Sequence, residues 1–151
     1  MSRHSVMLYR GNREFSQSID LMPELREVYD VIRSAVSDFE KTSDYLPWLS
    51  DVTRRINCGM AVAGIYQKSS VALVSHIGCG YAHISHVATI PEFRKNGNAG
   101  ILVSSLAALM KNRGLSAFVE PRDASLNHFY SKLGFELFED LIILTTSEEH
   151  I

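Results

Sequence analysis

The 151-residue sequence lacks the features that mark several large classes of protein. Its two cysteines, Cys58 and Cys79, stand alone, without a CxxC motif or a Cys/His cluster at metal-ligand spacing, so we expect reduced structural thiols and no metal site. No apolar run approaches the ~20 residues of a membrane span. The N-terminus has no hydrophobic region of signal-peptide length. These absences predict a cytoplasmic protein with no membrane partner.

The sequence also has no large excess of positively or negatively charged residues. Fifteen Lys and Arg residues against seventeen Asp and Glu residues give a formal net charge of −2, with no basic tail or block. Nucleic acid is therefore not an expected partner. Internal repeats, linkers and low-complexity segments are absent as well, so the length predicts one domain over residues 1–151 with a core of its own.

The first third of the chain predicts a strand followed by two helices. Residues 6–9 suggest a short strand. Apolar residues recur at three- and four-residue spacing through residues 19–41, which predicts a helix with Asp20 as N-cap and Pro23 in its first turn. Residues 44–57 predict a second helical segment.

The character of the sequence then changes to strands joined by short links. Residues 60–67, 71–77 and 81–90 are rich in Val, Ile, Ala and Tyr, and residues 68–70 and 78–80 separate them. Links this short predict an antiparallel meander.

The last third predicts alternating helices and strands. They are a helix over residues 97–113 ended by Gly114, a strand over 115–120, a helix over 123–133, and a last strand over 135–146 that kinks or folds into a hairpin at Glu139-Asp140. The element order is β-α-α-β-β-β-α-β-α-β, a mixed α/β domain.

The link into the 97–113 helix is a glycine-bearing polar run. It reads Arg94-Lys95-Asn96-Gly97-Asn98-Ala99-Gly100. A turn between a strand and a helix leaves backbone N–H groups free at the positive end of the helix dipole, where they can hold a phosphate. The alternative is a polar loop whose glycine merely eases the start of the helix.

Two motifs together resemble the GCN5-related N-acetyltransferase (GNAT) superfamily. The run from Val87 to Ala99 is similar to the family's strand followed by R/Q-x-x-G-x-G/A, and residues 127–135 are similar to its F/L-Y-x-K-L-G-F motif. The match covers residues 59–144 and most resembles the FR47-like branch. It implies a central, mostly antiparallel mixed sheet with helices on both faces.

The resemblance also implies acetyl-CoA as cosubstrate, with no metal. The N–H groups of residues 96–100 would hold the pyrophosphate, and the main chain around Val87 to Thr89 would pair with the pantetheine arm and polarise the thioester carbonyl. The implied cofactor-binding residues are Val87, Ala88, Thr89, Arg94, Lys95, Asn96, Gly97, Asn98, Ala99, Gly100 and Asn127.

Three residues depart from the family pattern. Lys95 stands where glycine is common, Asn98 where an aliphatic residue is common, and Asp123 where asparagine is common. For Asp123 we expect a helix N-cap.

The resemblance assigns catalytic roles to Tyr130 and His83. Tyr130 matches the tyrosine that protonates the departing thiolate, and the alternative for it is a core tyrosine with its hydroxyl at the rim. His83 matches the position of a general base, with His86, Glu120 or a water as alternatives. Strand alternation places His83 and Val87 on one face and His86 on the other, unless a bulge breaks that parity.

These residues imply transfer of an acetyl group to a primary amine of a small molecule by direct attack, in a protein that can form a homodimer. Two alternatives stay open. One is a CoA-binding sensor or scaffold without turnover, and the other is a lysine or N-terminal acetyltransferase acting on proteins or peptides.

Overall fold

A six-stranded mixed sheet forms the centre of the molecule in a computed structural model that describes residues 2–16 and 18–143. The strands follow the spatial order β2-β3-β4-β5-β1-β6, and of the pairs between neighbours only β4–β5 is parallel. Their bounds are Ser2–Tyr9 (β1), Val62–Tyr66 (β2), Ser70–Gly78 (β3), Tyr81–Thr89 (β4), Ser116–Val119 (β5) and Phe135–Ile143 (β6).

Helices cover both faces of the sheet. Helix α4 and the short α5 pack on one face over a cluster that includes Met7, Ile84 and Leu106, and α1, α2 and α3 pack on the other over Val71 and Leu73. Within the described residues, no helix has the length and apolar character that crossing a membrane requires. The bounds are Leu25–Ala35 (α1), Phe39–Thr42 (α2), Tyr45–Asn57 (α3), Asn98–Asn112 (α4) and Asn127–Lys132 (α5), with 3-10 turns at Pro91–Phe93 and Ala124–Leu126.

The predicted fold class is confirmed. The meander of β2, β3 and β4 is antiparallel, and the helix at residues 44–57 matches α3. Gly114 follows α4 with a φ of 81°, the left-handed conformation expected of a glycine that ends a helix. The two cysteines are free, but both are exposed, so they are not buried structural thiols.

The single helix predicted over residues 19–41 is wrong at both ends. Asp20 forms an isolated main-chain bridge with Ile65 of β2, and its side chain accepts a hydrogen bond from the N–H of Met22, so this segment lies along the sheet edge and α1 begins only at Leu25. The helix ends before Asp38, which has a φ of 62°. A helix cannot continue through a left-handed residue.

The kink predicted at Glu139-Asp140 is wrong as well. Strand β6 is continuous to Ile143, and its irregularity is a bulge, because Val6 pairs with Glu139 while Met7 pairs with Leu137. The extra residue is Phe138. Residues 144–146 of the predicted strand lie outside the described residues.

The first strand of the chain lies inside the sheet rather than at an edge. Strand β1 is antiparallel to β5 on one side and to β6 on the other. It therefore joins β6 to the rest of the molecule.

Candidate active site

The site begins where two parallel strands separate. Strands β4 and β5 pair only from Tyr81–Ser116 to His83–Phe118 and then diverge, which leaves the β5-facing edge of β4 open beyond His83. A cleft of about 1230 Å³ opens at this point, and we call it the main cleft. Of the residues predicted from sequence, those lining it are His83, Val87, Ala88, Thr89, Arg94, Lys95, Gly97, Asn98, Ala99, Gly100 and Tyr130.

The loop before α4 offers unpaired donors to this cleft. In the described part of the chain, no group accepts a hydrogen bond from the N–H of residues 95–100, and the first helical bond runs from the N–H of Ile101 to the carbonyl of Gly97. Lys95 and Gly97 have φ values of 70° and 79°. Left-handed residues in such a turn direct successive N–H groups to one side, which favours an anion there.

Lys95 is thus a lysine at a position whose conformation favours glycine. Lysine in place of the glycine of the family pattern keeps the glycine-type backbone conformation and adds a positive charge to the loop. A Cβ added to Gly97 would meet no atom within 4 Å, so the space above this glycine is open to a ligand.

The side chain of Asn98 is used within the fold. Its Nδ2 donates to the Oγ of Ser69 at 2.9 Å, and Ser69 is fully buried in the turn between β2 and β3. The adjacent Ser70 hydroxyl lies 2.8 Å from that of Thr89, at the end of β4. Asn98 therefore fixes the first turn of α4 to the sheet.

Arg94 spans the mouth of the main cleft. Its guanidinium donates to the carbonyl oxygen of Ala35, at the C-terminal end of α1, over 3.4 Å. This contact links the loop before α4 to the helices on the opposite side of the cleft.

A bulge in β4 overturns the predicted placement of His86 on the face opposite His83. Leu73 pairs with Ser85 and Val71 with Ala88, so β4 has one extra residue here, and His86 has a φ of 52°. His86 consequently lies 6.4 Å from the ring of Phe39, on the α1 side of the sheet. His83 occupies the same side, where it stacks on His76 at 6.1 Å.

A hydrogen-bond chain runs from α3 to His86. Arg55 of α3 donates to Nε2 of His76 at 2.8 Å, so His76 carries its proton on Nδ1 and donates to Ser75 Oγ at 3.1 Å. Ser85 also donates to Ser75 Oγ, at 2.8 Å, which leaves the Ser85 oxygen to accept from Nδ1 of His86 at 2.9 Å. Neutral His86 then has its lone pair on Nε2.

His83 lies at the point where β4 and β5 separate. Its ring stacks on Phe118 at 4.6 Å with the planes 7° apart. Burial lowers the pKa of His83 more than the nearby carboxylate of Glu120 raises it. Partial desolvation at the cleft wall, followed by the charges of His83 and Arg122, lowers the pKa of His86, whose side chain keeps contact with solvent. Both imidazoles are thus biased towards the neutral form, which can accept a proton.

Tyr130 faces the same cleft from α5. It is 8% exposed and packs against Phe129 and Phe135 at ring distances of 5.0 and 5.7 Å. Its hydroxyl has no hydrogen-bond partner among residues 2–16 and 18–143. Burial raises the pKa of Tyr130, so the phenol keeps its proton at neutral pH.

Three further residues named from sequence do not line the cleft. Asn96 is exposed beside it. Asn127, at the start of α5, has a buried Oδ1 without a partner in the described chain, an acceptor still available to a ligand. Asp123 accepts hydrogen bonds from the N–H and the hydroxyl of Ser125, as predicted for an N-cap, although it caps the 3-10 turn.

The sequence reasoning missed two parts of the site. Arg122 lines the cleft and acts electrostatically on His86. The serines that orient the histidines were also missed, although the repeated Ser-His dipeptides at 75–76 and 85–86 on paired strands were a readable signal. The described residues contain no group of three His, Cys, Asp or Glu side chains placed to hold a metal ion.

Comparison with known proteins adds a family and a fold. The family model described as FR47-like protein matches residues 62–143. No curated protein sequence matches the chain.

Among solved structures, a GCN5-related N-acetyltransferase from Sphaerobacter thermophilus is similar, with 16% identity, a TM-score of 0.69 and coverage of 91% of this chain and 49% of its own. A protein described as a GNAT-family acetyltransferase from Novosphingobium aromaticivorans shares 21% identity at a TM-score of 0.67, over 91% of this chain and 60% of its own. This chain therefore spans about half to three fifths of those two proteins.

An aminoglycoside antibiotic 6'-N-acetyltransferase from Acinetobacter haemolyticus is similar over 85% of this chain and 97% of its own, with 16% identity and a TM-score of 0.62. At such identities the likeness concerns the fold.

Proposed function

The chain belongs to the FR47-like family of the GCN5-related N-acetyltransferase superfamily, and on that premise we propose that it transfers an acetyl group from acetyl-CoA to a primary amine of a small molecule. One observation carries the proposal. The separation of β4 and β5 opens a single cleft that is lined by the loop with free N–H groups, by His83 and His86, and by Tyr130.

The residues of the cleft fit acetyl-CoA. The N–H groups of residues 95–100, with Arg94 and Lys95 beside them, would hold the pyrophosphate. The open edge of β4 over Val87, Ala88 and Thr89 would hydrogen-bond the pantetheine amides as an added strand does. Asn127 Oδ1 could accept from an amide N–H. When bound, acetyl-CoA supplies a thioester whose carbonyl carbon is the electrophile.

A histidine of β4 would receive the proton of the attacking amine. We propose His83 for this role, because it stands at the point of strand separation beside Glu120. His86 is the second candidate, favoured by the hydrogen-bond chain that leaves its Nε2 as an acceptor. A lowered pKa suits a base, since the neutral form is then populated at neutral pH.

Tyr130 would donate its phenolic proton to the sulfur that leaves. Its raised pKa keeps it protonated until that step, and its free hydroxyl has no competing partner in the described chain. Main-chain N–H groups around Val87 to Thr89 would stabilise negative charge on the carbonyl oxygen. Orientation of the two reactants in the cleft would supply much of the remaining acceleration.

The charge of the cleft favours a small acceptor over a protein lysine. Arg94 and Lys95 lie at the proposed pyrophosphate loop, and the other charged side chains that line the cleft are Arg122, Asp38 and Glu120, so the cleft carries no dense acidic cluster. A cationic peptide gains little from such a surface. The solved aminoglycoside acetyltransferase is a relative in fold whose acceptor is a small molecule.

Release of the CoA thiol from acetyl-CoA across a panel of primary amines tests the proposal. We expect amine-dependent release by the protein, and a fall in kcat of about 10²-fold or more in Tyr130→Phe. Tyr9→Phe is the matched control, since Tyr9 is also a buried core tyrosine but lies outside the cleft. If Tyr130→Phe released CoA as fast as the wild-type protein, Tyr130 would not be the general acid. Binding of acetyl-CoA without CoA release for any amine would favour the sensor or scaffold.

Three predictions accompany this proposal on the scale of the whole protein. We propose that residues 1–151 act as a single acyltransferase domain, that the protein is cytoplasmic, and that it forms a homodimer. Fractionation and sedimentation measurements test the last two directly.

A further inference from the structure

A second cavity lies on the α1 side of the sheet, next to the main cleft. It measures about 570 Å³, within the range of small-ligand pockets. We call it the apolar groove. Its lining consists of Val6, Leu8, Met60, His76, Ile77, Gly78, Cys79, Tyr81, His83, Phe118 and Phe138.

His83 joins the two cavities, because its side chain lines both. The ring lies flat on Phe118, whose other neighbour is Tyr81 at a ring distance of 6.2 Å. The floor of the apolar groove thus consists of the aromatic rings of Tyr81 and Phe118, and it ends at His83, the candidate general base. A molecule held on these rings would present its end to His83 and to Glu120 beyond it.

The side chains of the groove favour an apolar occupant. None of the residues that line it is Asp, Glu, Lys or Arg, and its polar groups are two imidazoles, one phenol and one thiol. A sugar or phosphate would lose water hydrogen bonds here without replacement. Large apolar side chains surround the opening of the groove. The exposed fractions of Met60, Tyr81 and Phe138 are 47%, 44% and 56%, an unusual density of exposed apolar residues in one place.

From these observations we propose that the apolar groove is the acceptor subsite, and that the acceptor is a primary amine whose other end is an uncharged aromatic or aliphatic group. The inference rests on the proposed acetyl transfer. The apolar end packs on Phe118, Tyr81 and Phe138, and the amine reaches His83. His83 takes a proton from the amine as the new C–N bond forms, and the C–S bond breaks with the proton of Tyr130 going to sulfur.

Substrate preference tests the subsite. We expect kcat/KM for 4-phenylbutylamine to exceed that for 4-methoxybutylamine, an amine of similar basicity with a polar ether in its tail and no aromatic ring. Phe138→Ser should reduce this ratio about ten-fold, because an aromatic wall of the groove is lost. Leu137→Ser is the control: Leu137 is the preceding residue of β6, equally exposed at 57%, and lies outside the groove, so the ratio should not change.

The thiol in the groove gives a readout that needs no turnover. Cys79 lines the groove and Cys58 does not, while both are free and exposed. 4-Phenylbutylamine should slow alkylation of Cys79 by iodoacetamide, measured by peptide mass spectrometry, and leave Cys58 unaffected. Phe138→Ser should weaken that protection.

The two experiments separate the subsite from the proposed activity. Protection of Cys79 without CoA release for any amine would support the groove as an amine site and contradict the transferase. CoA release with no preference between the two amines and no protection would overturn the subsite and retain the transferase. A Phe138→Ser protein that sediments as a smaller species, with Cys79 unprotected by amine, would assign the groove to a second copy of the chain instead.

Discussion

At the scale of single residues, the candidate site contains two serine–histidine pairs on adjacent strands. Ser75 and Ser85 each hydrogen-bond the histidine that follows them, and they also bond one another. The Arg55 donation to His76 Nε2 and the serine relay together set which nitrogen of each imidazole carries the proton. A bulge makes this possible, since it turns His86 to the side of the sheet where His76 and His83 already lie.

The enzyme's contribution to the pH dependence of kcat, measured with an amine whose own ionisation is corrected for, follows from the histidines and Tyr130. The base must be neutral, and its pKa is lowered, so the acid limb should lie below the ordinary histidine pKa. Tyr130 must be protonated, and its pKa is raised, so the alkaline limb should lie above the ordinary tyrosine pKa. The profile should be flat between them.

The pH profiles of histidine variants show which residue is the general base that produces the acid limb. We expect His83→Asn to abolish the acid limb and to lower kcat by about 10²–10⁴-fold. His86→Asn should have a smaller effect on kcat and keep the limb. The reverse pattern would assign the role to His86, and an unchanged limb in both variants would point to Glu120 or a water.

Lys95 gives a stability prediction from its backbone conformation. Lys95→Gly should raise the free energy of unfolding by about 0.5–1 kcal/mol, because a φ of 70° is strained for any side chain but free for glycine. Lys95→Ala removes the same charge and keeps the strain, so it should lie within about 0.5 kcal/mol of wild type. Urea unfolding compares the three proteins, and a gain in the alanine variant equal to that in glycine would attribute the effect to charge.

At the scale of elements, Asn98 holds helix α4 against the sheet. We expect Asn98→Ala to lower the free energy of unfolding by about 1 kcal/mol, because the buried hydroxyl of Ser69 loses its donor. The KM for acetyl-CoA should rise, since the N–H groups of the first turn lose their fixed position. Asn96→Ala is the control, as Asn96 is exposed in the same loop and its side chain has no hydrogen bond within the described chain. A stability loss of the same size in both variants would contradict the role of the bond.

Local sequence patterns predicted most elements, and the failures trace to contacts between distant residues. The apolar spacing of α1 is real, but Asp20 leaves the helix because its main chain pairs with Ile65, 45 residues away. The strand period placed His86 on the wrong face because a bulge depends on the register with β3. The glycine that ends a helix, in contrast, could be predicted from the sequence: Gly114 has the positive φ expected after α4.

At the scale of the whole molecule, β1 joins β6 to the rest of the sheet, and we therefore expect the sheet to unfold as one cooperative unit. Met7 is 2% exposed and lies in the core cluster on the α4 side, between β5 and β6. Met7→Ala should lower the free energy of unfolding by about 2–5 kcal/mol through lost burial and a cavity. Leu137→Ala, at the paired but exposed position on β6, should cost less than about 1 kcal/mol.

Guanidinium unfolding followed by circular dichroism and by Trp48 fluorescence measures both variants. The two probes should report one shared transition, because β1 joins β6 to the sheet that α3 packs on. Separate transitions, with only one sensitive to Met7, would show that β1 and β6 unfold independently.

The bridge between Asp20 and Ile65 has a consequence for how the molecule behaves in a crowded solution. Strand β2 ends the sheet on one side, and an uncovered end strand is a template on which another chain can add and polymerise. The chain's own Asp20 occupies part of that template, because it forms two main-chain hydrogen bonds with Ile65, each at 3.0 Å. At this position of β2, the main-chain groups through which another strand would add are already paired within the chain.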